Sequence, residues 1–160
     1  MIDGTIIRAH RHAAGARGGQ EAQGLGRSCG GFSSKVHAKA DGLGMPLDFI
    51  ITSGQASDIG QAKALVGDER CEFLLADRGY DSDSFRQHLV SQKITPVIPG
   101  RKNRKEAIVY DEHTYKERNA IERFFGRLKE FRRIATRYDK TAIMFKGTLI
   151  LASIVIWCKL

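Results

Sequence analysis

The sequence predicts an α/β fold, a mixed sheet covered by helices, and two observations predict it. Three segments with strand character, 2–9, 34–40 and 46–52, come before any helical pattern. After them helical and strand patterns alternate: helix 58–66, strand 72–76, helix 82–92, strand 94–99, then closing helices at 114–131 and 142–159. A hairpin-linked trio of strands followed by alternating elements builds a five-stranded mixed sheet with helices packed on it. With 160 residues and no internal repeat, the chain reads as one domain over 1–160.

Each element has its own reason. Ile2 to Ala9 is rich in β-branched residues and carries Asp3 near its start. Residues 15–31 hold seven glycines and almost no apolar periodicity, which predicts a long flexible loop. In 34–40, Val36, Ala38 and Ala40 point one way and Lys35, His37 and Lys39 the other, as in a half-buried strand with a basic outer face. The short loop at Gly42 to Gly44 joins that strand to 46–52 as a hairpin. Asp58 is placed to cap the helix that runs through Val66. Glu72 to Ala76 is an apolar run short enough for a central strand, and it ends at Asp77. In 82–92, Phe85, Leu89 and Val90 share a face, with Asp81 and Ser82 placed to cap and Asp83 to favour the first turn. Pro96 and Pro99 push the last strand toward an edge. The apolar stretch Thr148 to Trp157, bracketed by Lys146 and Lys159, is half the length needed to cross a bilayer and reads as a buried helix.

Lys and Arg number 26 against 18 Asp and Glu, a net charge of +8. A surface that basic calls for a polyanionic partner, nucleic acid or an anionic membrane. Cys29, Cys71 and Cys158 are odd in number, far apart and without CxxC pairing. That argues against a disulfide framework or zinc ribbon and suits a reducing compartment. The start Met-Ile-Asp-Gly-Thr lacks the basic and apolar regions of a signal peptide, so a cytoplasmic protein is expected.

Residues 115–140 carry nine Lys and Arg against four Asp and Glu, with Glu122 in their middle. On one helix from Tyr115, at about 100° per residue, Tyr115, Arg118, Glu122 and Lys129 fall within a sector of about 60°. Ile121, Phe125 and Leu128 form an adjoining apolar stripe, while Lys116, Arg123, Arg127 and Glu130 take the opposite side. A solvated i,i+4 charge pair is one reading of Glu122. The other is chemical. Glu122 at the border of a buried stripe can reach over a sheet edge toward Asp3 and toward Asp77, at a strand end where open α/β sheets bind ligands. Three carboxylates at about 3 to 5 Å repel, and two Mg²⁺ or Mn²⁺ ions relieve that repulsion. Such ions, about 4 Å apart, serve the attacking and leaving oxygens of a phosphodiester, while the basic face grips DNA phosphates.

Tyr115, Arg118, Glu122 and Lys129 also spell Y-x2-R-x3-E-x6-K, the signature of bacterial insertion-sequence transposases of the type-four and type-five families. "DGTIIRAHRHAAGARGG" at 3–19, "LADRGYDS" at 75–82 and "RNAIERFFGRLKEFRRIATRYDK" resemble segments of the type-five group, in order and over essentially the whole chain. This resemblance implies an RNase H-like fold and a DDE transposase that cleaves DNA at element ends and joins the freed 3′-hydroxyl to target DNA. It implies Asp3, Asp77 and Glu122 as catalytic, metal-binding carboxylates, and Tyr115, Arg118 and Lys129 as contacts to terminal DNA phosphates. Only Met1 and Ile2 precede Asp3, so the first strand is expected to be truncated and an N-terminal DNA-binding region absent. The partners expected are double-stranded DNA, as element ends and target, and further copies on it, including full-length transposase. The alternative from another class is an inactive or regulatory DNA-binding fragment.

Other features have plainer readings beside the chemical one. His10 and His12 form H-x-H, a zinc pair or polar strand-edge residues. The 15–31 loop lacks the G-x-x-x-x-G-K-[ST] of a nucleotide-binding loop and suits DNA contact or disorder. Arg101, Lys102, Arg104 and Lys105 are a solvated charge run or a phosphate grip, and Arg132 and Arg133 extend the basic face.

Overall fold

Strand β3 (Gly31–Ala40) is the spine of the molecule, and its alternation decides what packs on each face. The computed structural model describes residues 1–28, 30–68 and 70–159, so the expectation for Cys29 lies outside the described residues. One edge of β3 pairs antiparallel with β1 (Ile2–Ala9), from Ile2↔Lys39 to Arg8↔Ser33. The other edge carries β4 (Pro46–Ser53) and β2 (Gly26–Ser28), both antiparallel. β7 (Thr136–Arg137) adds a short parallel pairing to the end of β1, completing a five-stranded mixed sheet. Strands β5 (Phe73–Leu75) and β6 (Thr95–Val97) pair parallel with each other. The helices are α1 (Gly19–Ala22), α2 (Ile59–Val66), α3 (Asp83–Ser91), α4 (Glu112–Tyr115), α5 (Asn119–Glu130), α6 (Arg132–Ala135) and α7 (Ala142–Trp157). A mixed sheet flanked by helices is the arrangement expected of an RNase H-like fold.

Each face of the sheet has its own core. Val36, Ala38 and Ala40 join Ile7 and Phe49 beneath Ile121, Phe124, Phe125 and Leu128 of α5 and Phe145, Leu149 and Ile156 of α7. Ile2, on the other side of β1, packs with Ala62 and Leu65 of α2, Leu74 of β5, Phe85 and Leu89 of α3, and Ile94. The period-two alternation of strands is thus converted directly into two layers of helices. The hairpin between β3 and β4 closes through Asp41, whose carboxylate accepts from the N–H groups of Leu43 and Met45. Gly44 there has φ +82, and a Cβ would stand 2.7 Å from the carbonyl oxygen of Ala120, so glycine lets the turn lie against α5.

Several expectations change on folding. The five expected strands all form, but β5 and β6 stand as a separate pair, and β2 and β7 complete the main sheet. The glycine-rich 15–31 segment holds helix α1 and strand β2 and is anchored by buried Leu25. Lys35, His37 and Lys39 are not an outer face, because α2 covers them and His37 is fully buried. The helix expected from 114 breaks into α4, a 3₁₀ turn over Lys116–Arg118, and α5, with Tyr115 edge-on against Tyr110. Asp81 does not cap α3. Its buried carboxylate takes Arg86, Arg104 and the N–H of Arg101 instead. Val90 turns outward while Phe85 and Leu89 are buried, and α7 is buried on one side only. The edge position of β6 holds: it pairs with β5 alone, Pro96 opposite Leu74. Among the described residues no helix is long and apolar enough to cross a membrane.

Candidate active site

Asp3 owes its position to register. It pairs with Ala38, so it points to the α5 side of the sheet, as does Thr5, while Ile2 and Gly4 point to the other. Arg118, at the entry to α5, sits over this row. Its Nη1 donates to Asp3 Oδ2 at 2.9 Å and its Nη2 donates to Glu122 Oε1, so one guanidinium joins both carboxylates. The same guanidinium lies 5.7 Å from the centre of the Tyr115 ring. Two turns further on, Lys129 Nζ donates to Thr5 Oγ1 at 2.7 Å. The line Tyr115, Arg118, Glu122 and Lys129 is therefore laid along β1, despite the break before α5.

Asp77 follows β5 and caps the 3₁₀ turn Arg78–Tyr80, its Oδ1 accepting from Gly79 N at 2.8 Å. Its charge acts on Asp3. Burial pushes the Asp3 carboxyl above its usual range. The Gly4 N–H and Arg118 offset this in part, and the negative charges of Asp77 and Asp58 add to it. Burial would lower Arg118, but Asp3, Tyr115 and Glu122 hold it above its ordinary value. Burial, more than any neighbouring charge, is what disfavours the ionised form of Asp3.

Behind β1 stands a second carboxylate that the sequence flagged only as a helix cap. Asp58 occupies the cap position of α2 but makes no capping bond. Its Oδ2 accepts from Lys35 Nζ at 2.6 Å, and its Oδ1 is 3.3 Å from His37 Nδ1 without good alignment. Nε2 of His37 is 2.8 Å from Thr52 Oγ1. A Cβ on Gly4 would fall 2.2 Å from Asp58 Oδ1, so the absent side chain is what lets this carboxylate reach the back of the strand. Its place immediately before Ile59, at a helix start, was the signal the sequence offered.

The carboxylate oxygens of Asp3, Asp77 and Glu122 are the hard donors that Mg²⁺ or Mn²⁺ select, and a cation would offset the burial that disfavours the ionised Asp3. Glu122 is turned to Arg118, and among the described residues no three His, Cys, Asp or Glu side chains are spaced to share an ion.

The basic residues divide. Arg101 donates to the carbonyls of Arg78 and Gly79, and Arg104 is paired with Asp81 and Asp83, so both fasten the connector to the segment that runs from the 3₁₀ turn into α3. Lys102, Lys105 and Arg132 are exposed, and Arg133 reaches Asp139 at 3.3 Å from a largely exposed position. His10 accepts from the N–H of His12 through Nδ1 and stacks on Tyr138 at 5.0 Å, which makes the H-x-H a local cap and ring cluster. A buried Arg137 was also missed. It donates to Ser34 Oγ at 2.6 Å and to the carbonyls of Gly24 and Asp139, tying β7 to the sheet over the Phe145 ring.

A family model described as Transposase DDE domain matches residues 1–157. A Brucella ovis protein that carries a transposase name, for insertion sequence element IS6501, is 38% identical over 130 residues, 80% of this chain and 100% of that protein. A Burkholderia cepacia protein similarly named for element IS402 is 31% identical over 121 residues, 68% of this chain and 55% of that protein. No solved structure matches the chain.

Proposed function

From the premise that the chain belongs to the DDE-domain transposases of insertion-sequence elements, we propose that it cleaves DNA at element ends and joins the freed end to target DNA. In this reading Asp3, Asp77 and Glu122 are the catalytic carboxylates and would hold two divalent ions. The observation that carries it is the Arg118 bridge, which puts Asp3 of β1 and Glu122 of α5 on one guanidinium, with the Asp3 carboxyl raised by burial. Bound ions supply activation of the attacking hydroxyl and stabilisation of the leaving oxygen. Arg118 keeps the two carboxylates from repelling each other and presents a planar fork suited to phosphate, while Lys129 offers a point charge along the same line. Lys102, Lys105, Arg132 and Arg133 extend the grip on the DNA backbone, and the chain works as a homo-oligomer on double-stranded DNA.

The test is joining of pre-cleaved element-end DNA to a target duplex with Mg²⁺ or Mn²⁺. Wild-type protein joins, and Glu122→Gln, which keeps shape but loses charge, does not. A second reading, a regulatory DNA-binding fragment, is favoured by one observation: among the described residues no three carboxylates are gathered to share an ion. No joining by the wild type, together with salt-sensitive DNA binding, would select that reading.

A further inference from the structure

Helix α7 carries two apolar faces, and one of them packs on the core. Phe145, Leu149, Ala152 and Ile156 face the core. The opposite side carries Ile143, Gly147, Ile150, Ile154 and Trp157, spaced four, three, four and three residues apart. That is the spacing by which one helix lays a straight seam on another. The four large residues of this seam, with Met144, Leu151 and Val155 beside them, are 40 to 79% exposed. Gly147 sits mid-seam with nothing within 4 Å of where a Cβ would stand. A glycine in an exposed helix costs about 1 kcal/mol relative to alanine, and this one leaves room for another backbone to approach closely.

The size of this face identifies its occupant. Seven side chains at roughly 100 Å² of exposed surface apiece make roughly 700 Å², beyond the ~300–600 Å² of the largest apolar patch on a typical monomer. It approaches the ~800 Å² that each partner contributes to a standard interface. The chain as a whole exposes 9513 Å², against about 8,000 Å² expected for a folded monomer of 17.8 kDa. The seam carries no charge, and the one cation of α7, Lys146, is paired with Asp48. Without Lys or Arg it cannot serve DNA phosphates, and a 16-residue helix of about 24 Å does not span a bilayer. A second copy of the chain offers the same uncharged seam, and in a two-fold arrangement one patch satisfies itself.

We propose that the outer face of α7 is a two-fold interface between copies of this chain, α7 packing on α7 through Ile143, Gly147, Ile150 and Ile154. This deepens the homo-oligomer of the proposed function but rests on no catalytic residue, so it stands or falls separately from the chemistry. Sedimentation velocity of the full chain without DNA, from about 1 to 100 μM, is the test. Wild type sediments as a discrete dimer, and Ile150→Glu with Ile154→Glu weakens dimerisation at least about 100-fold. An unchanged circular dichroism spectrum and melt show that the variant still folds. In Ile150→Cys with Cys29→Ser, Cys71→Ser and Cys158→Ser, mild oxidation yields a covalent dimer. A wild type that stays monomeric throughout, a dimer that survives the double charge, polydisperse aggregates, or flotation with anionic phospholipid vesicles in place of dimerisation would each overturn the proposal.

Discussion

The two faces of the β1–β3 pair each hold a carboxylate against basic groups, and they are balanced in opposite ways. On the α2 face, Asp58 is beside both Lys35 and His37. Burial works to raise its carboxyl, but those two neighbours outweigh it and hold the group below its usual range. On the α5 face, burial raises the Asp3 carboxyl, the Gly4 N–H and the guanidinium it shares with Glu122 offset this only in part, and Asp77 and Asp58 add to it. The same strands therefore face one carboxylate whose ionised form its neighbours favour and one whose ionised form burial disfavours. The first kind stabilises the fold; the second, at a cleft, is where an added cation gains most.

The largest contrast is expected in activity. Asp3→Asn lowers strand joining by roughly 10³-fold, the order seen when a group that stabilises developing charge is removed. Its melting temperature stays level or rises, because a carboxylate ionised against its surroundings has gone. A fall of several degrees would break the comparison, since Asp3 would then be holding the fold as Asp58 does.

Asp58→Asn reverses the pattern. Lys35 and His37 are left facing a neutral amide, at about 2 kcal/mol, below the ~3–5 kcal/mol of a fully buried pair because a quarter of the Asp58 side chain is exposed. Thermal denaturation then shifts down by about 4–8 °C. The sign with pH follows from the depressed carboxyl: its stabilisation is fully present above the unfolded value near 3.9 and disappears as pH falls through the lower folded value. Wild type and variant should differ by a constant amount between about pH 5 and 7 and converge in acid. A gap that widens in acid would mean the assignment has the wrong sign.

Added Mg²⁺ sharpens the comparison on the Asp3 side. At ten times its dissociation constant an ion stabilises the folded state by about 1.4 kcal/mol, so melting rises by about 3–5 °C in wild type. Asp3→Asn should lose this response and Asp58→Asn should keep it; equal responses in both variants would place the ion elsewhere. The smallest effect belongs to Lys129→Ala, which removes the contact to Thr5 and one phosphate partner. DNA affinity falls similarly for all sequences, and the slope of log affinity against log salt drops by about 1. An unchanged slope would leave Lys129 as a tie between α5 and β1 only.

The apolar stripe of α5 was legible because Ile121, Phe125 and Leu128 repeat at helical spacing, and the same spacing put Glu122 at its border. The alternation of β3 was equally plain, yet its basic side was misjudged. A period-two pattern separates two faces without saying which is covered, and α2 covers the one that looked solvent-facing. Asp58 was legible only as a cap, because a cap is a local relation and its true partners lie 21 or more residues away. The glycine segment hid β2, since a three-residue strand held by backbone pairing leaves almost no side-chain pattern.

The sequence by itself determined the α/β class, the strands and helices with strong periodicity, the basic charge, and the family through motifs spaced along the chain. Only the tertiary structure decided that Arg118 would join Asp3 to Glu122 across 115 residues of chain, that Asp58 would be spent on Lys35 and His37, and that half of α7 would remain uncovered. The physical reason is range. Periodicity, capping and turn chemistry act within a few residues, whereas desolvation and charge balance depend on what strand register and helix packing bring together.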